Sequence, residues 1–95
     1  MRDNDQSLAE ALDEWVKHYR FRDKLLQGKV IASWENTVGH IIAKETENLY
    51  ISRRVLFVKL RSEALKHELE YAKRKLVNSL NKHAGGEVIK EVKFI

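Results

Sequence analysis

The chain has no cysteine and no proline, and only four of its 95 residues are glycine. Without cysteine there is no disulfide framework, no thiolate nucleophile and no cysteine-type zinc site. The four histidines, His18, His40, His67 and His83, do not fall at metal-ligand spacing, so neither a metal nor a cofactor is expected. No apolar run approaches the roughly 18 residues that a membrane-crossing helix needs, so no membrane partner is expected. The opening residues MRDNDQ are polar and acidic, unlike the basic and then apolar start of a secretory leader. There is also no Ser-His-acid order, no glycine-rich phosphate loop and no His-x-x-x-His pair, and the chain is not read as an enzyme. These absences leave the expectation of a small soluble, cytoplasmic domain.

What is present is a globular composition, 43% hydrophobic and 34% charged, with a net charge of +4. That charge is unevenly spread. Over residues 1–14, Arg2 stands against Asp3, Asp5, Glu10, Asp13 and Glu14, a net of −4. From Trp15 onward 17 Lys/Arg face 9 Asp/Glu, a net of +8. A basic body behind an acidic head points to a polyanionic partner, nucleic acid before membrane. An acidic arm folding back onto the body would give the same asymmetry. Residues 1–6 are expected to form a flexible acidic N-terminus, and residues 7–95 a single domain.

Hydrophobic periodicity gives the element order. Ser7 with Glu10 three residues later has capping-box form, and Leu8, Ala11, Leu12, Trp15 and Tyr19 recur at helical spacing, predicting a helix over about 8–20. Asp23 can cap a second helix from Lys24, which Gly28 can break, and the apolar stripe through Val30, Ile31, Trp34, Val38, Ile41 and Ile42 runs to about Glu45. The period then becomes two over 47–52 and 55–61, with Arg53-Arg54 between, which reads as a β-hairpin. Ser62 can cap a further helix marked by Leu65, Leu69, Ala72, Leu76 and Leu80 and ended by Gly85-Gly86, and 87–95 reads as a last strand with Val92 and Phe94 inward. The expected fold is α+β, a two-layer α-α-β-β-α-β arrangement with helices packed on a three-stranded sheet.

The densest cationic feature is the hairpin, where Arg53, Arg54, Lys59 and Arg61 lie within nine residues. With simple register, Lys59 and Arg61 share a face with Phe57, and Tyr50 lies on the same side. Such a face can stack bases of a single strand on its rings and hold phosphates with its cations. The competing arrangement has the acidic first helix covering this face, pairing Asp13 or Glu14 with the basic residues and burying Phe57. A second patch gathers Arg74 and Lys75 with His67, Tyr71, Asn78 and Lys82 opposite the leucine stripe of the third helix, where Arg/Lys contacts to phosphate would position without reading sequence. A solvated face diluted by Glu68 and Glu70 is the plainer reading. The basic stretch Lys17 to Lys29 divides the same way, and Trp15 belongs either to the core or to a partner's groove.

The order of motifs resembles a known family. Trp34-Glu35-Asn36-Thr37-Val38-Gly39, then Ala43 and Thr46, the strand Leu56-Phe57-Val58, Ser62 with Glu68-Leu69, and finally Leu80-Asn81, Gly86 and Val88-Ile89-x-x-Val92-x-Phe94 resemble the DciA family over Leu25–Ile95. In that likeness Trp34, Val38, Gly39, Leu69 and Gly86 are structural signature residues, Gly39 letting its helix approach the sheet closely. The resemblance implies a fold related to K-homology (KH) nucleic-acid-binding domains and a role in DNA replication, through contact with DNA and with the replicative helicase, in the nucleoid. The family's usual Asp-Gly at the hairpin tip is replaced here by Arg53-Arg54, and no GxxG loop of the KH type is present. A KH-like RNA-binding protein and a protein-interaction domain without nucleic-acid binding are the competing functions.

Overall fold

A computed structural model describes residues 4–95. In chain order the elements are α1 (Asn4–Ala32), α2 (Trp34–Val38), α3 (His40–Lys44), β1 (Thr46–Ser52), β2 (Val55–Leu60), α4 (Glu63–Glu70), α5 (Lys73–Ala84) and β3 (Glu91–Phe94). The α+β expectation holds, with five helices and one three-stranded mixed sheet. The segment expected to be flexible over residues 1–6 lies in part outside the described residues, and Asn4 is already the first residue of α1.

The helices divide differently from the pattern read in the sequence. The two stretches expected to meet near Asp23 are one continuous helix. Ser7 lies inside it, and the Asp23 carboxylate accepts from Gln27 Nε2 at 2.8 Å rather than capping a new start. Gly28 does not break α1, because the single-glycine penalty of about 1 kcal/mol is small beside the good helix formers around it. A Cβ placed at Gly28 would meet nothing within 4 Å. Gly28→Ala should therefore raise folding stability by about 0.5–1 kcal/mol in a denaturant titration. A loss of stability would reveal a packing role for that position.

The actual breaks lie further on. Gly39 separates α2 from α3 with φ +90° and ψ 166°, a conformation open almost only to glycine. No atom lies within 4 Å of a Cβ built there, so backbone conformation, rather than close approach to the sheet, requires the glycine. The third expected helix is also two, with Ala72 N–H donating to Leu69 O at 2.9 Å in a tightened turn between α4 and α5. Ser62 caps α4 as expected, its hydroxyl accepting from Leu65 N–H. Gly85, left-handed at φ +89°, ends α5.

β2 is the central strand, antiparallel to β1 and parallel to β3, with α4 and α5 forming the crossover that a parallel pair needs. Because β2 has neighbours on both sides, its inward residues Leu56, Val58 and Leu60 are buried. Val30 of α1, Trp34 of α2, Leu76, Leu80 and Ala84 of α5, the loop residues Val88 and Ile89, and Val92 of β3 complete the core. Trp34 also donates from Nε1 to Thr46 Oγ1 at 3.0 Å, and that hydroxyl donates to Ile42 O at 2.8 Å, tying α2 and α3 to the start of β1. Val38 and Leu69 pack half-buried against this cluster. The first part of α1 runs out past the body, and the molecule measures 65 Å along its long axis against 21 and 20 Å across.

Candidate nucleic-acid interface

Period-two alternation sends one set of sheet side chains into the core and the other to the opposite face. On that second face Tyr50 stands opposite Phe57, Asn48 opposite Lys59, and Lys93 of β3 beside Phe57. The Tyr50 and Phe57 rings stack with centroids 5.0 Å apart and planes 16° from parallel. Tyr50 is 41% exposed and Phe57 half-buried, while Lys59 and Lys93 are exposed on either side. Glu91, level with Val55, is the acidic member of the face. The cover by the acidic helix is not seen among the described residues. Asp13 pairs with Lys17 on its own helix at 3.1 Å, which together with Glu14 holds the Lys17 pKa above its usual value.

The hairpin tip joins this face. Arg53 and Arg54 have φ of +50° and +65°, the paired positive values of a type I′ turn, for which Asn-Gly is the favoured sequence. An L side chain in this region costs roughly 1–2 kcal/mol. Both arginines are exposed, and Arg54 is also anchored: Nη2 donates to Glu87 O at 3.2 Å and its carbonyl accepts from Lys90 N–H at 2.8 Å. The chain therefore holds two cationic side chains where the backbone would favour neutral, small ones.

Arg61 is placed differently. β2 ends at Leu60, so Arg61 turns away from the strand alternation. Its backbone N–H donates to Glu45 O, its guanidinium donates to Lys44 O at 2.7 Å, and Nε lies 3.8 Å from Glu47. Arg61 closes the junction of α3 with β1, where an irregular register between Thr46 and Asn48 accommodates Glu47.

Arg74 and Lys75 are exposed near the start of α5. Arg74 lines a shallow groove between α5 and β3 with Lys73, Asn78, Lys90 and Glu91, and Lys75 lies one residue beyond it. Glu91 belongs to both the groove and the sheet face, and Lys90 is bonded to the hairpin tip through its backbone, so the two cationic sets meet along β3. Lys73 belongs with Arg74 and Lys75 to the third-helix patch read from the sequence, whereas Lys90 and Lys93 were not singled out. Alternation in 91–94, with Val92 and Phe94 inward, already put Lys93 outward, but the parallel partner that sets it beside Phe57 has no local signature. Among the described residues no three His, Asp or Glu side chains gather as a metal site.

These features define a class: a small two-layer α+β module whose sheet has one packed face and one face of stacked rings among lysines. The family model described as "Dna[CI] antecedent, DciA" matches residues 7–94, and the chain belongs to the DciA family. That membership implies a role in DNA replication, in helicase loading, and the family is generally non-catalytic. None of the curated proteins compared matches the chain. Among the described residues no helix is long and apolar enough to cross a membrane.

Proposed function

We propose that the chain is a non-enzymatic module that binds DNA through this sheet face and contacts the replicative helicase, acting in the nucleoid. Residues 7–95 would act as one domain behind the acidic segment 1–6. The observation that carries the reading is the Tyr50–Phe57 stack set between Lys59 and Lys93, below a tip that keeps arginine at two left-handed positions. Backbone strain retained at an exposed, charged position is a mark of function. Rings accept bases without sequence preference, and lysine and arginine supply affinity by displacing counterions from phosphate.

The test is a titration with single-stranded DNA across salt concentrations. Each phosphate neutralised on a single strand contributes a slope of about −0.7 to log K against log salt, so four cations give roughly −3. Arg53→Asn with Arg54→Gly should flatten that slope by about 1 to 1.5 units while raising Tm by several degrees, because the turn is relieved. Binding that ignores salt, or a slope unchanged in the double variant, would refute this interface. Preference for RNA over DNA of the same sequence would transfer the surface to the RNA-binding alternative. Co-purification of the helicase with the full chain tests the second contact.

A further inference from the structure

We infer that the groove between α5 and β3 is a phosphate site for the same DNA strand, whose backbone leaves the rings past Lys93 and turns round the end of β3 into it. This rests on the sheet-face reading and adds a second site of different chemistry. The groove holds about 340 Å³. α5 runs antiparallel to β3: Asn81 is bonded to Val88 and Ile89 ahead of the strand, and Lys73 Nζ lies 5.8 Å from the centre of the Phe94 ring at its end. Lys93 on the open face and Lys73 on the packed side therefore flank the same end of β3, and Lys90 marks the other end of the groove.

The rim of the groove is cationic and largely uncompensated. Arg74 and Lys90 are exposed and form no ion pair among the described residues, while Lys73 is held by Glu70 at 2.9 Å. Lys73, Arg74 and Lys75 occupy the first turn of α5, where a helix favours acidic residues and none stands. That arrangement costs stability, as the arginines of the hairpin tip do, and an external anion offsets it. No aromatic ring lines the groove, Val77 and Val92 supply only aliphatic surface, and Asn78 adds an amide donor beside the cations. Such a site takes phosphate and gives a base nothing to stack on. Neighbouring strands lie about 4.8 Å apart, so only a few nucleotides separate the rings from the groove. Glu91, level with Val55 on the open face, repels phosphate at the start of β3, which puts the crossing at Lys93. Continuity with the rings favours a nucleic-acid strand over an acidic peptide, which has no use for them.

Arg74→Gln with Lys90→Gln in the full chain is the test. Both side chains are exposed, and the backbone bond from Lys90 to Arg54 is untouched, so the thermal transition should stay where it is. A thymidine strand of twelve nucleotides should bind this variant about 10–30-fold more weakly near 0.1 M salt, with the salt slope flatter by about 1 to 1.5 units. A strand of four nucleotides covers the rings without filling the groove. NMR titration with it should give the affinity of the native chain within about twofold, with the same shifts at Tyr50 and Phe57, because distant charges are screened. Equal losses for both strands would reduce the groove to part of a general positive field. Unchanged affinity for the longer strand would leave the groove without a ligand. A twelve-residue glutamate peptide that binds as tightly as the longer strand, and loses as much in the variant, would assign the groove to acidic peptide. Each of these overturns the inference while the ring shifts keep the sheet-face reading intact. Absence of those shifts in the native chain would instead refute the sheet face, and the inference with it.

Discussion

Replacing Tyr50 and Phe57 together by leucine should weaken binding to single-stranded DNA far more than it weakens the fold. Leucine keeps an apolar pair across β1 and β2 but removes both π-faces. Stacking of a base on an aromatic ring is worth about 1–3 kcal/mol, so each ring that engages a base should cost about 5–150-fold in affinity. The rings lie on the face away from the buried cluster, so stability should fall by no more than about 1 kcal/mol, the scale of a cross-strand aromatic pair. The salt slope should hardly move, because no cation is lost. This separates the variant from the hairpin-tip change, which lowers the slope and leaves the rings. Unaltered affinity in the leucine variant would remove the rings from the interface, whatever the lysines do.

The largest expected effect on stability is at Asn81. Its side chain holds the loop between α5 and β3. Oδ1 accepts from Val88 N–H and Ile89 N–H at 3.0 Å each, and Nδ2 donates to Ile89 O at 2.8 Å. Its own carbonyl accepts from Gly85 N–H and Gly86 N–H, closing the end of α5. Val88 and Ile89 are core residues, so water is excluded from much of this loop. Asn81→Ala strands two donors and an acceptor, and with about 1–3 kcal/mol for each unsatisfied buried group the net loss should reach roughly 2–4 kcal/mol after relaxation. In a domain with a typical reserve of about 5–15 kcal/mol, that lowers Tm by more than 10 °C or so. Asn81→Asp keeps both accepting contacts but sets a carboxylate oxygen in place of the donor, facing Ile89 O, so it should destabilise as well. A loss of less than about 1 kcal/mol for Asn81→Ala in urea titration would mean that the loop does not depend on these bonds.

The hairpin was legible in the sequence because both of its strands alternate and one face of each is buried. Register follows from which residues are apolar, and Leu49, Ile51, Leu56 and Val58 leave little choice. The helix boundaries were less legible for identifiable reasons. Gly28 looked like a break and is not, since a glycine on an exposed helix surface costs little. Gly39 is a break because its φ is positive, and residue type alone does not distinguish the two. The turn at Tyr71-Ala72 contains neither glycine nor proline and had no local signal. At the site, Tyr50, Phe57 and Lys59 were placed together by alternation alone. Arg61 would have continued that alternation, but its amide is taken by Glu45 O after β2 ends. Lys93 was missed because the neighbour of a third strand is a tertiary property, decided by a crossover of some thirty residues rather than by local pattern.

The parallel pairing of β3 with β2 also has a temporal consequence. A two-residue turn should let β1 and β2 meet early, whereas β3 has a long loop to close across α4 and α5 and should dock later. The rings and Lys59 are therefore juxtaposed before Lys93 joins them, and the complete charge pattern exists only once the closing strand has docked. A polyanion that engages Lys93 would favour the docked strand by mass action. Amide exchange at Val92, Lys93 and Phe94 would then slow in its presence, making the terminal strand a reporter of occupancy at the opposite face of the sheet.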